Sequence, residues 1–273
     1  MKITYYGTAA GEGWPGLFCQ CELCQKARQL GGRNIRTRSQ ALINDDLLLD
    51  ITPDTNLHSL FYGLALSKVR YLLVTHSHSD HCLGSEIELL KEPYSHTCQG
   101  LDVWGNDKVR EKIIRDTGND GGEQERFRYH LAEPNVSFLA GGYTVTPLRA
   151  THDRQELCLF YHIVQGEKSV LYAHDTGALS EENLECLRQK PGKLSLVSLD
   201  CTAQSQRDGY YHMGLADAAE QKERLLRLNL ADERTLWVVN HFSHNGGWLH
   251  DELCKEAARY GFIASYDTMA LEF

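Results

Sequence analysis

Apolar and polar residues follow two different periods along this chain, and each change of period marks a new element. MKITYYG and the pair QALIN and DLLLDI read as strands, the last two joined at Asn44-Asp45. VRYLLVTH is a continuous apolar run ending in histidine, the pattern of a strand buried on both faces. From Asp80 the spacing becomes helical, with Leu83, Ile87 and Leu90 on one stripe until Pro93 stops it. A second helix is predicted from Asn106 to Arg115, ending near Gly118. Strands return at GYTVTPLRA, LCLFYHIV and SVLYAHD, the last two separated by the hairpin signal QGEK. Ser180 is placed to cap a helix carrying Leu184 and Leu187, terminated by Pro191-Gly192. LSLVSLD is another buried strand. A longer helix follows, with Leu215, Ala218, Lys222, Leu225 and Leu226 close to one stripe. TLWVVNH is the last strand of the series, and a final helix runs from about Leu249 to Tyr260 before Gly261.

Strands and helices therefore interleave in both halves, which favours layered sheets covered by helices over an all-β or all-α domain. Histidine or aspartate ends four of the strands: His76, Asp175, Asp200 and His241. Polar groups set where buried strands emerge are aimed by rigid elements. No repeat, low-complexity tract or Pro/Ser-rich linker interrupts the pattern, so residues 1–273 are expected to form one domain.

Charge and cysteine content narrow the function classes. A formal net charge of −9 argues against a broad nucleic-acid-binding face, though not against a small phosphorylated substrate held by metal ions. The N-terminus lacks the basic stretch and apolar segment of a signal peptide, and no apolar run approaches the ~20 residues that span a bilayer. The expected location is the cytoplasm, where the nine cysteines read as reduced thiols or metal ligands. Cys82, Cys98, Cys158, Cys186, Cys201 and Cys254 are scattered and read as buried structural thiols.

Two clusters carry candidate chemistry. Thr75 to His81, THSHSDH, packs three imidazoles and a carboxylate into six residues, the ligand types preferred by zinc, manganese or iron. His76 and His78 suit one metal, and Asp80 with His81, placed on the first turn of the following helix, suits a second. A polar loop that happens to be rich in histidine would explain one or two of these residues, but not four in this order. Near the N-terminus, Cys19, Cys21 and Cys24 form CxCxxC, enough to chelate one ion if a fourth ligand completes a tetrahedron. His244, three residues after His241, is the favoured fourth ligand; a redox pair is the competing reading of a lone CxxC.

HxHxDH after a strand is similar to the signature of the metallo-β-lactamase-fold hydrolases, and that resemblance implies a four-layer αββα sandwich, of the α/β class (α+β by some schemes). It also implies the remaining ligands: His152 in RATHD, Asp175 in AHDTG and His241 in VVNHFSH. One metal would have His76, His78, His152 and Asp175, the other Asp80, His81, Asp175 and His241. His78 points to hydrolysis, because the flavo-diiron oxidoreductases of this fold tend to carry Glu there. The combination of GTxxxxGxP, CxCxxC, HxHxDH and HxSH resembles the phosphonate-pathway cyclic phosphodiesterases of PhnP type. In that family the cysteines and the second histidine of HxSH hold a structural zinc, which assigns Cys19, Cys21, Cys24 and His244 to it. The closing segment GFIASYDTMALEF also matches, except that Thr268 stands where glycine is expected. The stretch from Asn119 to His130 has no counterpart.

The function these readings imply is a metal-dependent phosphodiesterase that opens a small ribosyl or nucleoside cyclic phosphate. Attack comes from a hydroxide bridging two divalent metals, zinc or manganese with iron as an option. Two divalent ions outweigh Asp80, Asp175 and one hydroxide, so the centre stays positive within an acidic protein. His212, in GYYHMGLADA, is the candidate general acid, since the family carries a catalytic histidine ahead of a helix here; a surface or capping histidine is the alternative. Asp80 also assists proton movement in this scheme. Arg36, Arg38 and Ser39 are candidates to steer a phosphate, or else form a solvated basic loop. Asp200 is a candidate partner for a ligand histidine. His58, His96, His130, His162, His174 and His250 read as ordinary surface or core histidines. The small phosphorylated substrate is the expected partner, with a homodimer as one option and neither membrane nor nucleic acid expected. The alternatives are an RNA-processing nuclease similar to the tRNA 3′-end endonucleases, and a non-catalytic cofactor-pathway protein resembling the PqqB type, whose central motif tends to be degenerate.

Overall fold

The structure, a computed structural model, describes residues 1–122 and 126–273. One seven-stranded sheet takes β1 (Lys2–Gly7), β2 (Gln40–Ile43), β3 (Leu47–Leu49), β4 (Tyr71–Leu73), β5 (Leu101–Gly105) and β6 (Phe127–Leu131) in that order. The other is built from β7 (Phe138–Ala140), β8 (Tyr143–Arg149), β9 (Leu159–Gln165), β10 (Lys168–Ala173), β11 (Leu196–Asp200), β12 (Leu236–Asn240) and β13 (Ile263–Ala264). Strand β14 (Met269–Glu272) returns to the first sheet and pairs antiparallel with β1, Lys2 opposite Glu272. Among the described residues the helices are α1 (Glu22–Leu30), α2 (Thr55–Phe61), α3 (Gly84–Glu88), α4 (Asp107–Thr117), α5 (Glu181–Arg188), α6 (Leu215–Arg227) and α7 (His250–Arg259). None is long and apolar enough to cross a membrane.

The period-2 alternation of the strands sorts side chains into three cores. Ile3 and Tyr5 of β1 and Leu47 and Leu49 of β3 meet Tyr161 of β9 and Val170 and Tyr172 of β10 between the sheets. The opposite face of the first sheet, with Tyr6, Leu48 and Leu72, packs on Ile87 of α3 and Val109 and Ile113 of α4. The outer face of the second sheet, with Leu171, Val197 and Val239, is covered by Leu184 of α5, Leu225 of α6 and Leu253 of α7. Two sheets face to face with helices outside both make the expected four-layer sandwich.

Local signals account for several boundaries. Ser180 Oγ accepts from Asn183 N at 3.1 Å and caps α5. Asn106 Oδ1 caps α4, and Gly118 ends it in the left-handed region. Gly166, also left-handed, turns the β9–β10 hairpin. Thr268 adopts φ +72°, which explains why glycine suits that place.

The helix expected from Asp80 to Pro93 is α3 alone. Asp80 and His81 lie instead in a single turn closed by His81 N and Cys82 N on the His78 carbonyl. Ile51 then pairs with His81 and Leu83, so the chain runs extended before α3 can start. Helices α1 and α2 and strands β5, β6, β7, β13 and β14 fall outside the predicted elements, so TLWVVNH is not the last strand. Of the 119–130 stretch, Phe127–His130 lie in β6, and residues 123–125 lie outside the described residues. Cys82, Cys158, Cys186 and Cys201 are buried as expected, whereas Cys98 and Cys254 are only half-buried.

Candidate metal centre

The strand ends converge on one point between the two sheets. His76 follows β4, His152 follows β8, Asp175 follows β10, Asp200 ends β11 and His241 follows β12. Asp50, Asp175 and His241 all adopt left-handed backbone, at φ +64°, +48° and +67°. That conformation is costly for residues other than glycine and marks places where the surroundings dictate side-chain direction.

One atom each from His76, His78 and His152 lie within 4.8 Å of one another, and so do atoms from Asp80, His81 and His241. Asp175 reaches both groups. Its Oδ2 stands 2.8 Å from His81 Nε2 and 3.0 Å from His241 Nε2, and its Oδ1 3.7 Å from His152 Nε2. These contacts lack hydrogen-bonding angles. His76 Nε2, His81 Nε2, His152 Nδ1, Asp175 Oδ2 and His241 Nε2 are all buried with no hydrogen-bond partner. A buried polar atom without a partner costs ~1–3 kcal/mol, and four of these five face the same small space as donors a divalent ion accepts. The donor set therefore fits a metal pair. Electrostatics agree: burial disfavours the His81 cation, yet Asp80, Asp175 and Asp50 together hold its pKa well above the ordinary value. Three carboxylates around one imidazole demand positive charge. Burial also opposes ionisation of Asp80 and Asp175, but the surrounding imidazoles outweigh it and keep both carboxyls below their usual range.

The far side of four of the five rings is held as well, His152 being the exception. Asp50 Oδ2 accepts from His81 Nδ1 at 2.7 Å while Asp50 Oδ1 accepts from Thr75 N at 2.7 Å. Thr202 Oγ1 lies 2.8 Å from His241 Nδ1, and Thr75 Oγ1 3.0 Å from His76 Nδ1. Asp153 Oδ2 is 3.2 Å from His78 Nε2. Such partners orient metal-binding imidazoles and set their tautomers. Asp50, Thr202 and Asp153 stood outside the sequence-derived candidates. Asp200 lies 3.6 Å from His241 Nδ1 and accepts from the Thr202 hydroxyl at 3.1 Å, and it also accepts from His212 Nδ1 at 3.1 Å. Burial would lower the His212 pKa, but Asp200 and Asp175 raise it to about 9. The His212 ring lies 4.9 Å from that of His152 and stacks 5.8 Å from that of His241. Its loop is pressed onto the turn after Asp175, where a side chain on Gly177 would collide with the Tyr210 carbonyl.

Cys19, Cys21, Cys24 and His244 also converge within 4.8 Å. His244 Nδ1 is 3.5 Å from Cys21 Sγ and 3.9 Å from Cys19 Sγ. Cys21 accepts from Cys24 N, which lowers its thiol to about 6, whereas burial pushes Cys24 up to about 12. Glu12 lies between the two clusters, 3.7 Å from His244 Nε2, and Gly11 packs against Asp80.

Arg36, Arg38 and Ser39 do not reach the centre as phosphate-steering groups, nor do they form a solvated loop. Arg36 is buried and donates to Thr8 Oγ1 and the Ser265 carbonyl, each at 2.8 Å. Arg38 pairs with Asp54 at 2.8 Å, and Ser39 is buried beside Tyr172. His174 is a core histidine held by Ser198 and Asn240.

Comparison with known proteins agrees with this geometry. Residues 47–230 match the β-lactamase superfamily domain. A crystal structure of a diphosphatase from the PhnP family superposes over 100% of this chain and 97% of its own, with a TM-score of 0.75 and 21% identity. Zinc-bound PqqB from Methylobacterium extorquens superposes over 100% of both chains, with a TM-score of 0.69 and 14% identity. Human tRNase Z, short form, covers 100% of this chain and 99% of its own at a TM-score of 0.66 and 16% identity. In sequence, 114 residues are 32% identical to coenzyme PQQ synthesis protein B of Methylobacterium radiotolerans, a match spanning only 37% of either protein. The chain belongs to the β-lactamase superfamily domain family and has the metallo-β-lactamase fold, which it shares with the PhnP-family diphosphatase.

Proposed function

We propose that this protein is a phosphodiesterase that opens a small cyclic phosphate on a ribosyl or nucleoside group, with residues 1–273 acting as one domain. In this reading His76, His78, His152 and Asp175 hold one divalent metal, and Asp80, His81, His241 and Asp175 hold the other, zinc or manganese with iron as an option. Cys19, Cys21, Cys24 and His244 hold a structural zinc. The observation that carries it is the convergence of buried, partnerless ring nitrogens and Asp175 Oδ2 on one point. When bound, such a pair supplies Lewis acidity toward phosphoryl oxygens and a nucleophile from water near neutral pH.

The chain's own residues supply the rest. Asp200 takes the Nδ1 proton of His212 in a hydrogen bond, leaving Nε2 with no protein partner among the described residues and able to protonate the leaving alkoxide. Arg154, two residues beyond His152, donates to Tyr210 Oη at 3.0 Å and has no carboxylate partner among the described residues. It adds a fixed positive charge beside the loop of His212, suited to an anionic substrate. One neighbour that covers this whole chain is a diphosphatase from the PhnP family, and that activity supports a phosphorylated substrate here.

A panel of cyclic and linear phosphodiesters, assayed with manganese, zinc and iron alongside metal analysis, tests the proposal. Three metals per chain and a preference for cyclic phosphates are expected. Absence of hydrolysis with every substrate and metal would favour a second reading, a PqqB-type cofactor-pathway protein, which the 32% identical segment supports.

A further inference from the structure

We propose that Glu156 is a positioning residue that fastens together the two loops bearing His76, His78 and His152, and so sets one half of the metal centre. The inference rests on the metal-pair reading above. Ser77 sits between His76 and His78. Its N–H donates to Glu156 Oε1 at 2.6 Å and its hydroxyl to Glu156 Oε2 at 2.7 Å. Glu156 stands four residues after His152, in the loop that leads into β9. One carboxylate thus grips the peptide between two candidate ligands from the loop that carries the third.

The clamp is anchored on both sides. The buried Asn106, which caps α4, donates from Nδ2 to Glu156 Oε1 at 2.7 Å and to the Leu157 carbonyl at 2.6 Å. Lys112 Nζ of α4 donates to the Ser77 carbonyl at 2.7 Å. The N–H, hydroxyl and carbonyl of Ser77 are therefore all engaged.

The two halves of the centre differ in how they are held. His81 and His241 have Asp50 and Thr202 directly on Nδ1. His152 Nδ1 is buried with no partner, and His78 rests on the half-exposed Asp153. His76 has Thr75 Oγ1 on its Nδ1, but His78 and His152 depend on their main chain being held, which is what Glu156 does.

Geometry, not charge, is the function of this carboxylate, and substitution separates the two. Glutamine in the same pose accepts from Ser77 N–H and Asn106 through its oxygen and donates to the Ser77 hydroxyl through its amide. Alanine keeps none of these bonds. Zinc and cobalt titrations of the chelator-stripped full chain, followed by metal analysis and by the cobalt absorption spectrum, provide the readout. E156A is expected to weaken one of the two active-site metals by about 10–100-fold and change its cobalt spectrum, with the other metal and the cysteine-cluster metal retained. E156Q is expected to restore both affinity and spectrum. K112M, which removes the bond to the Ser77 carbonyl, should weaken the same metal by a smaller factor and serves if E156A does not fold. Unchanged affinity in E156A, or in K112M if that variant is the one available, overturns the proposal, as does an equal loss in E156Q and E156A. A wild-type chain that binds no metal pair would instead overturn the metal-pair reading itself.

Discussion

The histidine–aspartate cluster and the cysteine cluster both gather ligand-type side chains within 4.8 Å, yet they are built in opposite ways. The first draws on strand ends far apart in sequence, its members His76, His81, Asp175 and His241 are buried, and both sheets hold its frame. The second takes three residues from one short loop and the first turn of α1, with Cys21 exposed and only His244 arriving from elsewhere. Leu17 and Phe18 beside it are 76% and 96% exposed, and of its members Cys24 alone is in the core. A centre whose frame stands without its ligands is suited to chemistry. A loop that leaves such apolar side chains in solvent is suited to being held by a bound ligand.

Removing a ligand from the first cluster is the most severe test of this contrast. Asp80→Ala and His78→Ala are expected to lower turnover by on the order of 10⁴-fold or more while the melting temperature of the metal-free chain changes little. Wild-type turnover in both would end the two-metal proposal. One step outward, His212→Asn should lower kcat by roughly 10²–10⁴-fold, the usual contribution of a general acid, with metal content unchanged. An unaltered kcat would return His212 to the status of a surface histidine.

In the cysteine cluster the effect should move from rate to stability. Cys21→Ser is expected to lose one tightly held zinc and about 3 kcal/mol of stability at a free zinc concentration ~100-fold above Kd, because a metal bound only by the folded state stabilises it by mass action. Denaturant unfolding with and without zinc measures this. An unchanged metal count together with an unchanged midpoint would contradict a structural site.

Strand ends made the first cluster legible in the sequence, because buried apolar runs stopping at His76, Asp175, Asp200 and His241 show in the residue order alone. Asp50 ends the run DLLLD in the same way and could have been found by that signal. Thr202, Asp153 and Glu156 could not: each is a single polar residue whose meaning comes from a partner on another loop. Arg36 misled for a related reason, since nothing local reveals that Thr8, Ser265 and His250 surround it. Strands β5 and β6 escaped because Asp102, Arg128 and His130 interrupt their apolar pattern near the sheet edge.

The smallest expected effect concerns a histidine in neither cluster. His162 of β9 is buried, and desolvation, helped by Lys190, lowers its pKa from 6.5 to about 4. The unfolded chain therefore takes up its proton first as pH falls. The stability tied to neutral His162 is fully present above about pH 6.5 and drains away as pH drops toward 4. The shift corresponds to on the order of 2 kcal/mol across that window, given that buried groups relax on protonation. His162→Leu removes the titration and fills the space of a ring whose Nδ1 has no partner. Unfolding of the chelator-stripped variant should therefore depend less on pH than wild type between neutrality and about pH 4, by that amount. Parallel pH profiles would mean that the acid sensitivity resides in other histidines, among them the buried His58 and His174 whose pKa values desolvation also lowers.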